Sequence, residues 1–215
     1  ITLSSSTVAE NLQAGSVIGT LSVANSDGAT FSYELAGVDA SAFKIEGDQV
    51  KTSRAFDYEL QKSLYISINA IRSDGDVSTK NFIIKVTDVN EAPTNISLTN
   101  LSVAENTPPG VVIGSIIVSD PDAGESFTHI LGGVDGSAFD VVNGKLVTKA
   151  PLNFEQKSSY QFELVAIDQG GLPFTKNFTI AVSNVNEPST NIVLSNNTVI
   201  ENSAIGTVVG VLSTT

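Results

Sequence analysis

Ten residues, Thr87-Asp88-Val89-Asn90-Glu91-Ala92-Pro93-Thr94-Asn95-Ile96, return with small changes as Ser183-Asn184-Val185-Asn186-Glu187-Pro188-Ser189-Thr190-Asn191-Ile192. A second signature keeps the same rhythm: Val8-Ala9-Glu10-Asn11, Val103-Ala104-Glu105-Asn106 and Val199-Ile200-Glu201-Asn202, at offsets of 95 and 96. A fixed period punctuated by a Pro-bearing acidic joint marks a tandem array. It divides the chain into a first repeat over 1–92, a second over 93–188, and the opening strands of a third over 189–215.

Within a repeat the pattern has period two. Leu64, Ile66, Ile68 and Ala70 alternate with Tyr65, Ser67 and Asn69, and Phe82, Ile84 and Val86 alternate with Ile83, Lys85 and Thr87. Such alternation is the signature of strands with one buried face. Turn residues separate the runs at Ser26-Asp27-Gly28, Glu46-Gly47-Asp48 and Ser73-Asp74-Gly75-Asp76. Seven strands are predicted, near 2–9, 16–24, 30–36, 43–46, 49–53, 63–72 and 78–88, with at most one helical turn near Asp39 to Phe43. Seven short strands in each repeat predict an all-β fold of tandem Greek-key, immunoglobulin-like sandwiches. The third repeat lacks most of its strands, so its residues are expected to be disordered or to pair with another edge.

Charge narrows the function. Eleven Lys and Arg against 23 Asp and Glu give a formal charge of −12. Nucleic acid calls for basic surface and is excluded as a partner. The chain has no Cys, so disulfide frameworks and thiolate metal sites are absent. It has no Met, opens mid-pattern and carries no apolar run of membrane-spanning length, so it reads as a segment of a longer protein. Any membrane link would run through regions outside it.

Placement of the carboxylates carries more than their number. If the strands alternate in direction, Glu10, Asp57, Glu59, Asp88 and Glu91 fall at the bottom of the first repeat. Asp120, Asp122 and Asp168 fall at the top of the second. Each like-charge pair at ~5 Å costs about 0.8 kcal/mol even in water. A hard divalent cation reverses that sign, and calcium takes six to eight oxygen ligands at ~2.3–2.6 Å. Zinc has little to hold it in a chain with one His.

Five motifs in order resemble those of cadherin repeats, and most of all the cadherin-like tandem repeats of large bacterial surface proteins. Glu10-Asn11 resembles the family's Glu-Asn, Asp57-Tyr58-Glu59 its Asp-Arg-Glu, and Asp120-Pro121-Asp122 its Asp-x-Asp. Ala166-Ile167-Asp168 resembles its Ala-x-Asp, and Asp88-Val89-Asn90-Glu91-Ala92-Pro93 its Asp-x-Asn-Asp-Asn-Ala-Pro. The resemblance implies calcium ions at the joint. Glu10, Asp57, Glu59 and Glu91 would hold a first ion. Asp88, the Val89 carbonyl and Asp122 would help hold a second, and Asn90, Asp120, Asp122 and Asp168 a third. Glu91 stands where the family has Asp, and one residue before Ala-Pro is missing. A weaker second set comprises Glu105, Asn153, Glu155 and Glu187, where Asn153 and Asn184 replace acids. At the other end of the first repeat, Asn25-Ser26-Asp27 is poor in acid and Arg72 occupies the position of Asp168, so a fixed cation should displace calcium there.

The resemblance implies calcium-dependent cell adhesion, or a rigid spacer, in an extracellular or cell-surface setting. Partners would be calcium and a homophilic or heterophilic surface protein or polysaccharide. The runner-up is a carbohydrate-binding or accessory module of a secreted enzyme, disfavoured because the chain has no Trp and four Tyr. Exchange of an N-terminal Trp strand is excluded for the same reason. Catalysis is not expected, since His129 aligns with Tyr33 on an inward face and has no second base beside it. Asp74 and Asp76 read as turn residues, and Pro108-Pro109-Gly110 as a loop.

Overall fold

The computed structural model describes residues 1–24 and 27–214. The acid-poor Asn25-Ser26 step and the final Thr215 lie outside the described residues. Contacts divide the chain into two compact units. The first holds Ile1–Asn95, Val118–Thr128 and Ala166–Phe174, and the second Ile96–Ile117, His129–Val165 and Thr175–Thr215.

The described residues of 1–87 supply eight strands: β1 (Thr2–Leu3), β2 (Thr7–Ala9), β3 (Val17–Ser22), β4 (Phe31–Ala36), β5 (Phe43–Glu46), β6 (Gln49–Thr52), β7 (Ser63–Arg72) and β8 (Val77–Thr87). They form two four-stranded sheets in the orders β1-β3-β6-β5 and β2-β8-β7-β4. The alternating side chains of β7 and β8 drive this pairing. Leu64, Ile66, Ile68, Ile84 and Val86 point inward and are buried, and they pack with Val8, Ile18, Leu21, Phe43, Val50 and Phe56 in one core. The single helical turn predicted near Asp39 is a 3-10 turn over Ala40–Ala42.

One expectation changes. The first strand is not continuous over 2–9. β1 pairs antiparallel with β3, whereas β2 has crossed to the other sheet and pairs parallel with β8. The crossing passes so close to β3 that a Cβ on Gly19 would lie 2.8 Å from the Ser5 carbonyl oxygen. Only glycine leaves that room. Gly114 does the same against Asn100, where a Cβ would lie 2.9 Å from the backbone nitrogen.

The plan is repeated by β9 (Asn95–Leu98), β10 (Ser102–Ala104), β11 (Val112–Ser119), β12 (Thr128–Gly132), β13 (Phe139–Val142), β14 (Lys145–Thr148), β15 (Ser159–Ile167) and β16 (Pro173–Ser183). The sheet orders are β13-β14-β11-β9 and β10-β16-β15-β12. Phe139 and Phe162 meet at 5.1 Å between ring centroids, and Leu146, Leu164 and Ile180 are fully buried around them. His129 sits half-buried on the edge strand β12, and burial pushes its pKa down.

The last segment corrects a second expectation. β17 (Ile192–Leu194) and β18 (Leu212–Thr214) pair with each other, antiparallel, instead of staying irregular or adding to another edge. The two-stranded ribbon has no covering sheet. Ile192 is 69% exposed, although its counterpart Ile96 is completely buried.

Candidate metal centre

Glu10 follows directly on β2 and is 2% exposed, an unusual burial for a carboxylate. Its side chain is held by backbone donors on both sides. The Tyr58 N–H donates to Oε2 at 2.7 Å and the Val89 N–H to Oε1 at 2.9 Å. One side chain thereby ties the end of the first strand to the loop after β6 and to the segment after β8. Glu105 repeats the clamp with the N–H groups of Phe154 and Val185, at 2.9 and 2.8 Å. These bonds hold the Glu105 carboxyl below the usual carboxylate range.

The residue after each clamp is Asn in the left-handed region, with φ of 60° at Asn11 and 56° at Asn106, a conformation Asn tolerates better than most residues. The turn aims the Asn11 amide at Glu91, where Nδ2 donates to Oε1 at 2.5 Å. Asn106 donates to Glu187 in the same way. The carboxylate half of the Glu-Asn motif was legible as a candidate ligand, whereas the amide's role as a positioning donor was not.

Around Glu10 the predicted ligands fall into two overlapping sets. Glu10, Asp57 and Glu59 offer oxygens that all lie within 4.8 Å of one another, and so do Glu59, Asp88 and Asp122. Glu59 is common to both. All five belong to the first compact unit, which takes in the 118–128 loop. Asp122 Oδ2 also accepts from the Glu91 N–H at 2.8 Å, and Asp120 Oδ1 from the Asp122 N–H at 3.0 Å.

The third predicted set is only partly assembled. Asn90 Nδ2 donates to Asp168 Oδ2 at 2.9 Å and Leu172 N–H donates to Asp168 Oδ1 at 2.7 Å. Burial pushes the Asp168 pKa up, but the Asn90 amide and backbone donors of the 170–172 turn outweigh it and hold the carboxyl below its ordinary value. Among the described residues no group of three acids forms around Asp168. Gly170 makes the Asn90 contact possible, because a Cβ there would lie 2.3 Å from the Asn90 Cγ. Sequence reasoning passed over it, although a glycine two residues after Asp168 was in view. Gly170→Ala is therefore expected to push Asn90 off Asp168. The variant loses one charge-assisted hydrogen bond that is present without metal, so its melting temperature in chelator should fall below that of the parent chain, which thermal melting followed by circular dichroism checks.

Electrostatics marks the cluster as strained without a cation. Glu59 is pushed above the carboxylate range, first by burial and then by the charges of Glu10, Glu91 and Asp88. Asp88 rises through burial and the charge of Asp122, and Asp120 through burial and the charges of Asp122 and Asp168. Two carboxylate oxygens, Glu91 Oε2 and Asp120 Oδ2, are buried and have no hydrogen-bond partner among the described residues. Buried acceptors with nothing to accept from are costly. The donor set, all hard oxygen, suits calcium, and the spacing within each set is what a shell of ~2.3–2.6 Å radius spans.

The second acidic set is weaker in kind. Glu105, Glu155 and Glu187 converge within 4.8 Å, but neutral amides already serve two of them. Asn184 donates to Glu155 Oε1 at 3.0 Å and Asn106 to Glu187. Asn153 stands at the place of Asp57, and its Oδ1 accepts from the Gln156 N–H at 2.7 Å as Asp57 Oδ1 does from the Leu60 N–H at 2.8 Å. At the acid-poor end of the first repeat, Arg72 Nε pairs with Asp74 Oδ2 at 3.2 Å. Of the four tyrosines Tyr65 is exposed, at 55%, and Tyr33, Tyr58 and Tyr160 are partly buried.

Residues 99–183 match the cadherin domain family. Protocadherin Fat 1 of Homo sapiens is 29% identical over 195 residues, which is 85% of this chain and 4% of that protein. Protein dachsous of Drosophila melanogaster is 33% identical over 138 residues, 56% of this chain and 4% of that protein. The chain thus spans a small fraction of these relatives. Among solved structures, the cis-dimer of protocadherin gammaB7 EC3-6 superposes over 100% of this chain and 55% of that one, with TM-score 0.70 and 26% identity. Human protocadherin-24 EC1-2 covers 85% of this chain and 95% of that one at TM-score 0.69, with 23% identity, a likeness of fold alone. The relatives named here are animal proteins, not the bacterial surface proteins the motifs suggested. A cadherin-domain match and protocadherin relatives accord with a non-enzymatic module. Residues 99–183 are thus matched by the cadherin domain, and the two repeats that end at Ser183 have the all-β sandwich fold of protocadherin repeats.

Proposed function

We propose that this chain is a calcium-dependent extracellular module, adhesive or serving as a stiff spacer, built from repeats over 1–92 and 93–188 with the start of a third over 189–215. Calcium would be held by Glu10, Asp57, Glu59, Asp88 and Asp122, with Asp120 and Glu91 supplying their unmatched oxygens and Asn90, Asp168 and the Val89 carbonyl completing the surroundings. The observation that carries this reading is the convergence of five carboxylates beside two buried acceptors that lack donors. Bound calcium supplies the positive charge that such a set lacks. The protein's part is to hold the oxygens in place, through the Glu10 clamp and the Asn11 and Asn90 amides. The Glu105, Glu155 and Glu187 set would bind more weakly, because amide donors already satisfy part of it.

A likeness to bacterial surface repeats is not carried into this reading, nor is a polysaccharide partner. The proposed partner is a cell-surface protein, of the same or another kind. Two measurements test the proposal. Calcium should raise the melting temperature of the 215-residue chain well beyond the effect of equimolar magnesium, and equal melting in calcium and in chelator would remove the metal from the account. Beads coated with the chain should then aggregate in calcium and disperse in chelator if it is adhesive. Calcium-dependent stabilisation without aggregation would leave the spacer role.

A further inference from the structure

We propose that Asn143 is a site of spontaneous deamidation, converting the β13–β14 hairpin into aspartate and isoaspartate forms. Asn143-Gly144 is the single Asn-Gly step in the sequence. It forms a two-residue loop between β13 and β14, with φ of 50° and 70° and with Val142 facing Lys145 in register. The Asn143 side chain is exposed. Among the described residues, neither its amide nor the Gly144 N–H makes a hydrogen bond. A Cβ built on Gly144 would meet nothing within 4 Å, so no neighbouring group crowds that side of the turn.

The chemistry follows from these two free groups. The Gly144 nitrogen attacks Asn143 Cγ, a nitrogen–carbon bond forms, and the side-chain carbon–nitrogen bond breaks with loss of ammonia. The five-membered imide is then opened by water at either carbonyl. One opening leaves aspartate, and the other leaves isoaspartate with an extra methylene in the main chain. The net change is uptake of one water and release of one ammonia, with a new negative charge at the turn. No enzyme or metal is needed.

The first repeat contains its own control. Its matching hairpin reads Glu46-Gly47-Asp48-Gln49, with Gly47 at φ 66°, and has glycine where the second repeat has Asn143. The site is also consequential, because the turn is wired into the sandwich. The Gly144 carbonyl accepts from the Ile116 N–H at 2.9 Å, and β14 brings Leu146, Val147 and Thr148 into the buried interior. An added methylene cannot keep a two-residue turn and the Val142–Lys145 register together, whereas aspartate at the same φ can. The isoaspartate form should therefore melt earlier than the aspartate form.

The intact chain, incubated at physiological temperature in neutral to mildly alkaline buffer, should release ammonia and gain the Asn-to-Asp mass difference in the fragment holding Asn143. The reaction should quicken as pH rises, and isoaspartyl methyltransferase should label that fragment. Asn143→Asp and Asn143→Gln chains should release no ammonia from that fragment on the same timescale, and Asn143→Asp, which reaches the same imide only by the slower loss of water, should gain label more slowly and fold normally. If the folded chain keeps Asn143 intact while the same chain in denaturant converts, the turn protects the residue and the proposal fails. Conversion at another Asn before Asn143 would also overturn it.

Discussion

Replacing Glu10 with alanine is expected to cost more stability than removing the exposed carboxylates Asp57 or Glu59 beside it, and to do so in chelator. The side chain accepts two backbone hydrogen bonds, at 2.7 and 2.9 Å, in a site where it is 2% exposed. A hydrogen bond to a charged group contributes about 1.5–3 kcal/mol, so the pair stands for roughly 3–6 kcal/mol. For a module of this size that is a fall in melting temperature of more than ~10 °C. Glu10→Gln keeps one acceptor and should lie between the two. Asp57→Ala is the comparison, because Asp57 is exposed and its Oδ1 meets only the Leu60 N–H in a local turn. If Glu10→Ala and Asp57→Ala melt alike without metal, Glu10 is a ligand only and the clamp contributes nothing.

The second large effect concerns pH, and its sign depends on calcium. Glu59, Asp88 and Asp120 have pKa values raised in the folded chain. A raised folded pKa means the native state takes up protons more readily than the unfolded state. Its stabilising contribution is present below the unfolded pKa and is lost as pH rises through the folded one. Asp168 and Glu105 run the other way. Their contribution is present above the unfolded pKa and lost as pH falls through the folded one. The metal-free chain should therefore gain stability from neutral pH into mild acid, then lose it as the second group is protonated. With calcium at a hundredfold excess over its dissociation constant the gain is about 2.7 kcal/mol, and protons then compete with the metal. Stability should now fall with the first acidification. Glu59→Gln should raise the melting point in chelator at neutral pH and blunt the calcium response. Melting curves across pH with and without calcium check both signs, and a parallel shift of the two series would contradict them.

Much of this was legible because strands announce themselves by period two and the tandem copies allow each motif to be read twice. β7 and β8 follow the alternation of Leu64, Ile66, Ile68, Ile84 and Val86. The break in the first strand was hidden for a physical reason. Moving from one sheet to the other between Leu3 and Thr7 changes which neighbour donates hydrogen bonds but leaves the apolar alternation intact. The trace was glycine at 19 and 114, where the crossing chain comes too close for a Cβ. The ribbon of β17 and β18 was missed because two strands can satisfy each other's backbone without a core.

At the candidate centre the acids were recognisable as types in order, and their convergence into the Glu10, Asp57, Glu59, Asp88 and Asp122 sets follows from which strand ends they occupy. What each atom does was not recognisable. Glu10 spends its oxygens partly on backbone donors, and Asn90 acts as a donor to Asp168. Periodicity and residue chemistry, local properties of a chain, settled the strands, the repeat and the acidic character of the joint. Which oxygens are shared, which are already satisfied and which are left without a donor depended on side chains 31 to 79 positions apart meeting in space. Only tertiary packing decides that, because hydrogen-bond partners are chosen by distance and angle rather than by order along the chain.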